Sequence, residues 1–201
     1  MGNIWIGTFN GLNRYNKITG LFQNHTANDT QADGLTHSSI WCIVKDNQGT
    51  LWLGTYFGGV NYFNPEYEIY TRYSYSSNEK KGLSNPVVGR TIEDRDGNLW
   101  IGTEGGGLNY YNRRTREFKW YRPQEGRNSI SHNNVKALYY DADKEIIWIG
   151  THLGGLNKLD IRSGHFTHYR MEEGNPNTLP SDIIRDIIPY KSLLIIATQN
   201  G

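Results

Sequence analysis

The string Trp-Ile/Leu-Gly-Thr recurs four times, as NIWIGT at 3–8, TLWLGT at 50–55, NLWIGT at 98–103 and IIWIGT at 146–151. Its tryptophans, Trp5, Trp52, Trp100 and Trp148, are spaced by 47, 48 and 48 residues, and LIIAT places Ile195 another 47 beyond. A period of this length makes the chain an array of like units, each burying its apolar face against a neighbour. One segment therefore spans residues 1–201, in periods of approximately 1–37, 38–85, 86–132 and 133–180, with a partial unit over 181–201.

Aligned on the Trp, each period holds four strand-like stretches. The first alternates apolar residues: SSIWCIVKD at 38–46, PVVGRTIED at 86–94, NNVKALYYD at 133–141 and SDIIRDIIP at 181–189. A turn rich in Asp, Asn and Gly leads into the Trp strand. Gly-rich turns then open a third strand, GLNRYN, GVNYFN, GLNYYN or GLNKLD, and a more polar fourth is built around Phe22, Tyr70, Phe118 and Phe166. Composition agrees, with 14 Tyr and 23 Gly and no Ala- and Leu-rich helical pattern. The expected fold is all-β: a β-propeller of four-stranded antiparallel blades, about four in this chain, forming a partial propeller.

The same pattern explains the Trp. A broad indole on a strand near the middle of each blade fills the gap to the next blade, burying roughly 150–250 Å². Trp5, Trp52, Trp100 and Trp148 are accordingly read as structural core. The Gly after them permits a tight turn or a close neighbour, and the Thr hydroxyl bonds locally.

Residues 93–112, EDRDGNLWIGTEGGGLNYYN, resemble the two-component regulator propeller repeat, whose core reads ED.DGNLWIGT..GGLNRYN. The other copies resemble it with local departures, and together they cover essentially the whole chain. The resemblance implies a periplasmic sensor segment of a Bacteroides-type hybrid two-component system. Such a segment recognises glycan fragments and, through a following β-sandwich and a membrane helix, controls a histidine kinase and response regulator. TQNG at 198–201 aligns with TFNG at 8–11, so the chain reads as a piece of a longer propeller. Unclosed ends would expose Trp and Tyr, which leads us to expect self-association through the open blade edges.

Composition also narrows the partners. The 20 acidic and 21 basic residues nearly cancel without a basic stripe, which argues against nucleic acid. No stretch approaches the roughly 18 apolar residues of a membrane span, and no signal peptide is evident at the start. A single cysteine, Cys42, rules out an internal disulfide. Asp94, Asp96 and Asn98 imitate the opening of a calcium loop but lack its remaining ligands, so a hairpin turn is expected. His165 and His168 fall on opposite faces of a strand, and no metal or cofactor is expected. The sequons NHT at 24–26 and NDT at 28–30 carry no weight for a bacterial chain.

Positions where the copies agree serve packing, and positions where they differ are candidates for function. After each Gly-Thr stand Phe9-Asn10, Tyr56-Phe57, Glu104-Gly105 and His152-Leu153. Tyr56 and Phe57 are suited to stacking on sugar rings, and Glu104 and His152 to bonding hydroxyls. The first strand varies at Trp41, Gly89, Lys136 and Arg185 and again at Cys42, Arg90, Ala137 and Asp186. An innermost strand lines the channel, so Trp41, Arg90, Lys136 and Arg185 complete the candidate ligand-binding set. The leading expectation is a non-enzymatic sensor of oligosaccharide or polysaccharide fragments. A protein-interaction platform is the alternative, and a polysaccharide lyase or glycosidase ranks last because no pair of carboxylates at glycosidase spacing is identifiable.

Overall fold

The computed structural model describes residues 3–27 and 34–201, which leaves the NDT sequon at 28–30 outside the described residues. Five antiparallel sheets follow one another along the chain. The first holds β1 (Ile4–Thr8), β2 (Gly11–Tyr15) and β3 (Phe22–His25). The second is the meander β4 (Ile40–Lys45), β5 (Leu51–Thr55), β6 (Val60–Asn64) and β7 (Ile69–Tyr73). The third repeats it as β8 (Val88–Glu93), β9 (Leu99–Thr103), β10 (Leu108–Asn112) and β11 (Glu117–Tyr121). The fourth contains β12 (Val135–Asp141), β13 (Ile146–Thr151), β14 (Leu156–Asp160) and β15 (Phe166–Tyr169), and the fifth pairs β16 (Ile184–Tyr190) with β17 (Leu193–Thr198). The chain is an all-β partial propeller. The one helical element among the described residues is a 3₁₀ turn at Glu79–Lys81 lying against β11.

The opening strands β4, β8, β12 and β16 lie side by side, so they form the inner edge of the fan. The Gly of each Gly-Thr makes that approach feasible. A Cβ at Gly54 would stand 2.7 Å from Val88 Cγ1, one at Gly102 2.6 Å from Val135 Cγ1, and one at Gly150 2.5 Å from Ile184 Cγ2. Each of those partners is a β-branched residue of the next sheet's opening strand, buried and packed into the space a side chain would otherwise fill.

Two polar devices repeat with the apolar core. Thr55, Thr103 and Thr151 each donate a 2.9 Å hydrogen bond to the carbonyl of Gly59, Gly107 and Gly155, closing the Gly-rich turn. Asn61, Asn109 and Asn157, all fully buried, accept from the backbone N–H of Thr36, Ser84 and Ser131 at 3.0, 2.8 and 2.9 Å. Each amide also donates to the hydroxyl of the same residue. The linker that crosses from one sheet's outer strand to the next sheet is thus fastened on arrival, and these three buried amides are not left orphaned.

The tryptophans divide into two pairs. Trp52 and Trp100 are 2 % and 1 % exposed, and their Nε1 atoms donate to Asp46 Oδ2 at 2.9 Å and Asp94 Oδ2 at 3.1 Å. The other oxygen of each Asp receives N–H groups of its own turn, from Gln48 and Thr50 or from Asp96 and Asn98. The DRDGN turn is therefore a hairpin whose carboxylate is spent on turn and indole. Trp5 and Trp148 are only half-buried. Trp5 lies in a sheet without an opening strand or a turn Asp, while the longer turn before Trp148 gives Asp141 to Lys144 and leaves the indole N–H unpartnered.

Candidate functional site

Register locates the site. In every sheet with an opening strand, the pairing slips by one residue: Ile40 faces Thr55 but Cys42 faces Gly54, Val88 faces Thr103 but Arg90 faces Gly102. The same slip falls between Val135 and Ala137 and between Ile184 and Asp186. These are β-bulges, which leave one residue unpaired and re-aim its side chain. The unpaired residues are Trp41, Gly89, Lys136 and Arg185, the positions at which the copies differ most in chemistry.

A second variable position is held beside each bulge. The residue after each Gly-Thr, or after Ala197-Thr198 in the fifth sheet, donates its backbone N–H to the residue just before the opening strand: Tyr56 to Ser39, Glu104 to Val87, His152 to Asn134 and Gln199 to Ile183, at 3.0–3.1 Å. Trp41 consequently stacks on Tyr56, with ring centres 4.8 Å apart, and Arg185 donates to Gln199 at 2.8 Å. Phe57 packs edge-on against Tyr56 at 4.5 Å and is 58 % exposed.

The bulges converge. Trp41, Gly89, Arg90, Glu104, Lys136 and Arg185 line one depression of about 270 Å³ on the inner edge. Trp41 also walls a second hollow, of about 470 Å³, with Phe9 and Ile40. The two form a trough with an aromatic partition. Of the sequence-derived candidates, Trp41, Arg90, Glu104, Lys136 and Arg185 meet in the depression, while Tyr56 and Phe57 lie outside its lining, joined to it by the stack of Tyr56 on Trp41. His152 stands apart, its ring 6.4 Å from that of His132.

The charges are tied across sheets. Lys136 forms an ion pair with Glu104 of the preceding sheet. Arg90 donates through Nε to the Lys136 carbonyl at 3.1 Å and approaches Asp186 at 3.8 Å. Three cations therefore face two carboxylates, and the one surplus positive charge sits near Arg185. Beside the bulge, burial pushes the Cys42 thiol up, so Cys42 behaves as a small packing group. Among the described residues no group of three or more His, Cys, Asp or Glu is placed to hold a metal. Asp186 and Gln199 belong to the site and were not legible as such, because their partners lie in other strands. A Gly in mid-strand opposite the variable residue was the available sign of the bulge.

No helix among the described residues is long and apolar enough to cross a membrane. No curated protein matches the sequence. Solved structures do. The extracellular domain of BT4673 from B. thetaiotaomicron, assigned in one structure to a one component system and in another to a hybrid two component system, is 25 % and 24 % identical, with TM-scores of 0.79 and 0.78. In both, 99 % of this chain is covered and 25 % of the other. The extracellular domain of BT3049, from the same organism and assigned to a hybrid two component system, is 23 % identical over all of this chain and 31 % of its own, with a TM-score of 0.63. PorZ, a surface component of the type-IX secretion system of Porphyromonas gingivalis, is 20 % identical over 98 % of this chain and 30 % of its own, with a TM-score of 0.70. The chain thus spans about a quarter to a third of the lengths of these structures. Residues 34–57, 82–105 and 129–152 each match the family model described as two component regulator propeller, so those three stretches resemble the repeats of that family.

Proposed function

We propose that this chain is a ligand-recognising propeller segment of the extracytoplasmic, periplasmic part of a two-component sensor. Its ligand is an oligosaccharide or polysaccharide fragment, and occupancy controls a downstream histidine kinase. The observation that carries this reading is the convergence of the four bulge residues on one trough. A propeller built only for packing has no use for Trp41, Lys136 and Arg185 at the same place, whereas sugar recognition uses an aromatic face flanked by hydrogen-bonding and charged groups. The likeness to extracellular domains supports the location. Glu104 is the one carboxylate lining the depression, and it is engaged with Lys136, an arrangement that favours binding over acid–base hydrolysis.

Signalling requires that the ligand bind two arrangements of the protein unequally. Arg90 and Lys136 each reach from one sheet to another, so a sugar competing for them biases the angle between sheets. The test is a glycan array followed by calorimetry on the wild type and on Trp41→Ala. A bound glycan whose affinity falls about tenfold or more in the variant supports the reading, in line with loss of an aromatic anchor. Failure of every glycan together with capture of one defined periplasmic protein transfers the assignment to an interaction platform. That alternative is favoured by the apolar residues exposed on the end sheets, including Ile4, Ile6 and Phe22 at one end and Ile188, Leu193 and Ile195 at the other. We propose that a further blade or a second copy covers these faces.

A further inference from the structure

The junction between the second and third sheets contains a cavity that shares no lining residue with the trough. Its volume is about 480 Å³, and its walls include Trp52, Tyr62, Tyr73, Tyr111, Arg113 and Arg116. Trp52 and Tyr73 stack at 5.6 Å, and the Tyr73 and Tyr111 hydroxyls are bonded at 3.1 Å. Arg113 lies over the Trp52 ring at 5.3 Å, holds Asp46 at 2.8 Å and approaches Glu93 at 3.7 Å, and its Nε is buried without a hydrogen-bond partner. Arg116 is exposed at the rim and forms no ion pair among the described residues.

The neighbouring junctions lack this chemistry. At the next one, Leu159, Ile161 and Gly164 replace Tyr111, Arg113 and Arg116, and Lys119 lies over Tyr121 at 4.7 Å. At the preceding one the same three positions are Phe63, Pro65 and Glu68. Arg116 occupies a left-handed backbone position, φ 60, shared by all four sheets: Gly20 and Gly164 stand there at φ 70 and 72 and Glu68 at φ 55, so only the side chain distinguishes this junction.

We propose that this cavity is a second binding site and that it takes a carboxylated sugar, a uronate residue. The flat face of the ring lies against the half-buried Tyr62 and Tyr73, and the carboxylate is received by Arg116 at the rim, Arg113 being already engaged with Asp46 and Glu93. Arginine is suited to this because its fork matches a carboxylate in geometry and charge. The inference rests on the carbohydrate reading above but uses none of the trough residues.

The experiment titrates the whole chain with glucuronate and with glucose, by calorimetry and by the indole N–H resonance of Trp52. The decisive variant is Arg116→Gly, which installs the residue found at this position in the fourth sheet and removes a left-handed non-Gly backbone. Its melting temperature is therefore expected to be unchanged or higher. Glucuronate should shift the Trp52 resonance and bind at least about tenfold more tightly than glucose, and R116G should lose about tenfold in glucuronate affinity, the scale of one charge-assisted contact. Trp41→Ala should leave glucuronate binding intact. Equal affinity for the two sugars, wild-type binding by R116G, or no binding up to about 20 mM overturns the proposal. Loss in W41A but not in R116G also overturns it while leaving the trough assignment standing.

Discussion

The Gly of each Gly-Thr and the bulged residue across from it are neighbours, yet the chain treats them in opposite ways. Gly7, Gly54, Gly102 and Gly150 are the same in four copies because a Cβ there would drive into the next sheet. Trp41, Gly89, Lys136 and Arg185 are all but unrelated, because an unpaired strand residue on an open edge meets little that constrains it. Packing dictates one partner of the pair and leaves the other free for recognition.

The largest expected break in this contrast is on the packed side. Gly102→Val should destabilise the protein by about 3 kcal/mol or more in denaturant unfolding, since overpacking is compounded by the backbone that must move. Asn109→Ala follows, at about 2–3 kcal/mol, because the buried Ser84 N–H and hydroxyl lose their shared partner. Trp100→Phe should cost about 1–2 kcal/mol more than Trp148→Phe, given the indole bond to Asp94 that Trp148 lacks. On the free side, Lys136→Ala should change stability by no more than about 1 kcal/mol, since it removes a partly exposed pair, and should alter glycan affinity and its salt dependence instead. A bulge variant as damaging as Gly102→Val would dissolve the distinction.

The smallest effect is in pH. Burial, then His152 and Arg170, hold the His132 imidazole below its ordinary value of 6.5, and burial does the same to His25. A lowered folded-state pKa means that the unfolded chain takes up the proton first. Stability contributed by the neutral rings is complete above about pH 6.5 and declines as pH falls toward the folded-state values. Melting between pH 7.5 and 5.5 should show a shallow decline that His132→Gln reduces.

Much of the architecture was legible because its cause is local and repeated. The 48-residue spacing, the alternation in IWCIV and the turn residues of DRDGN each report a constraint written in adjacent positions. The candidate site was legible only as variation among copies, which picked out Trp41, Arg90, Glu104, Lys136 and Arg185 without saying why they meet. The bulge was hidden since one extra residue in an alternating strand looks like ordinary noise in the pattern. The partnership of Arg90 with Asp186, and the arginines of the inter-sheet cavity, depend on contacts between repeats that no single copy encodes. Full burial of Trp5 and Trp148 was expected from their likeness to Trp52, and differs because coverage is supplied by neighbouring strands and turns.

The fastened linkers have a mechanical meaning. Thr36, Ser84 and Ser131 are each clasped twice by an amide at the centre of the receiving sheet, so each crossover arrives at a fixed point. A tilt between neighbouring sheets therefore has to carry the arriving residue along with the amide that holds it, or break two hydrogen bonds at a buried position.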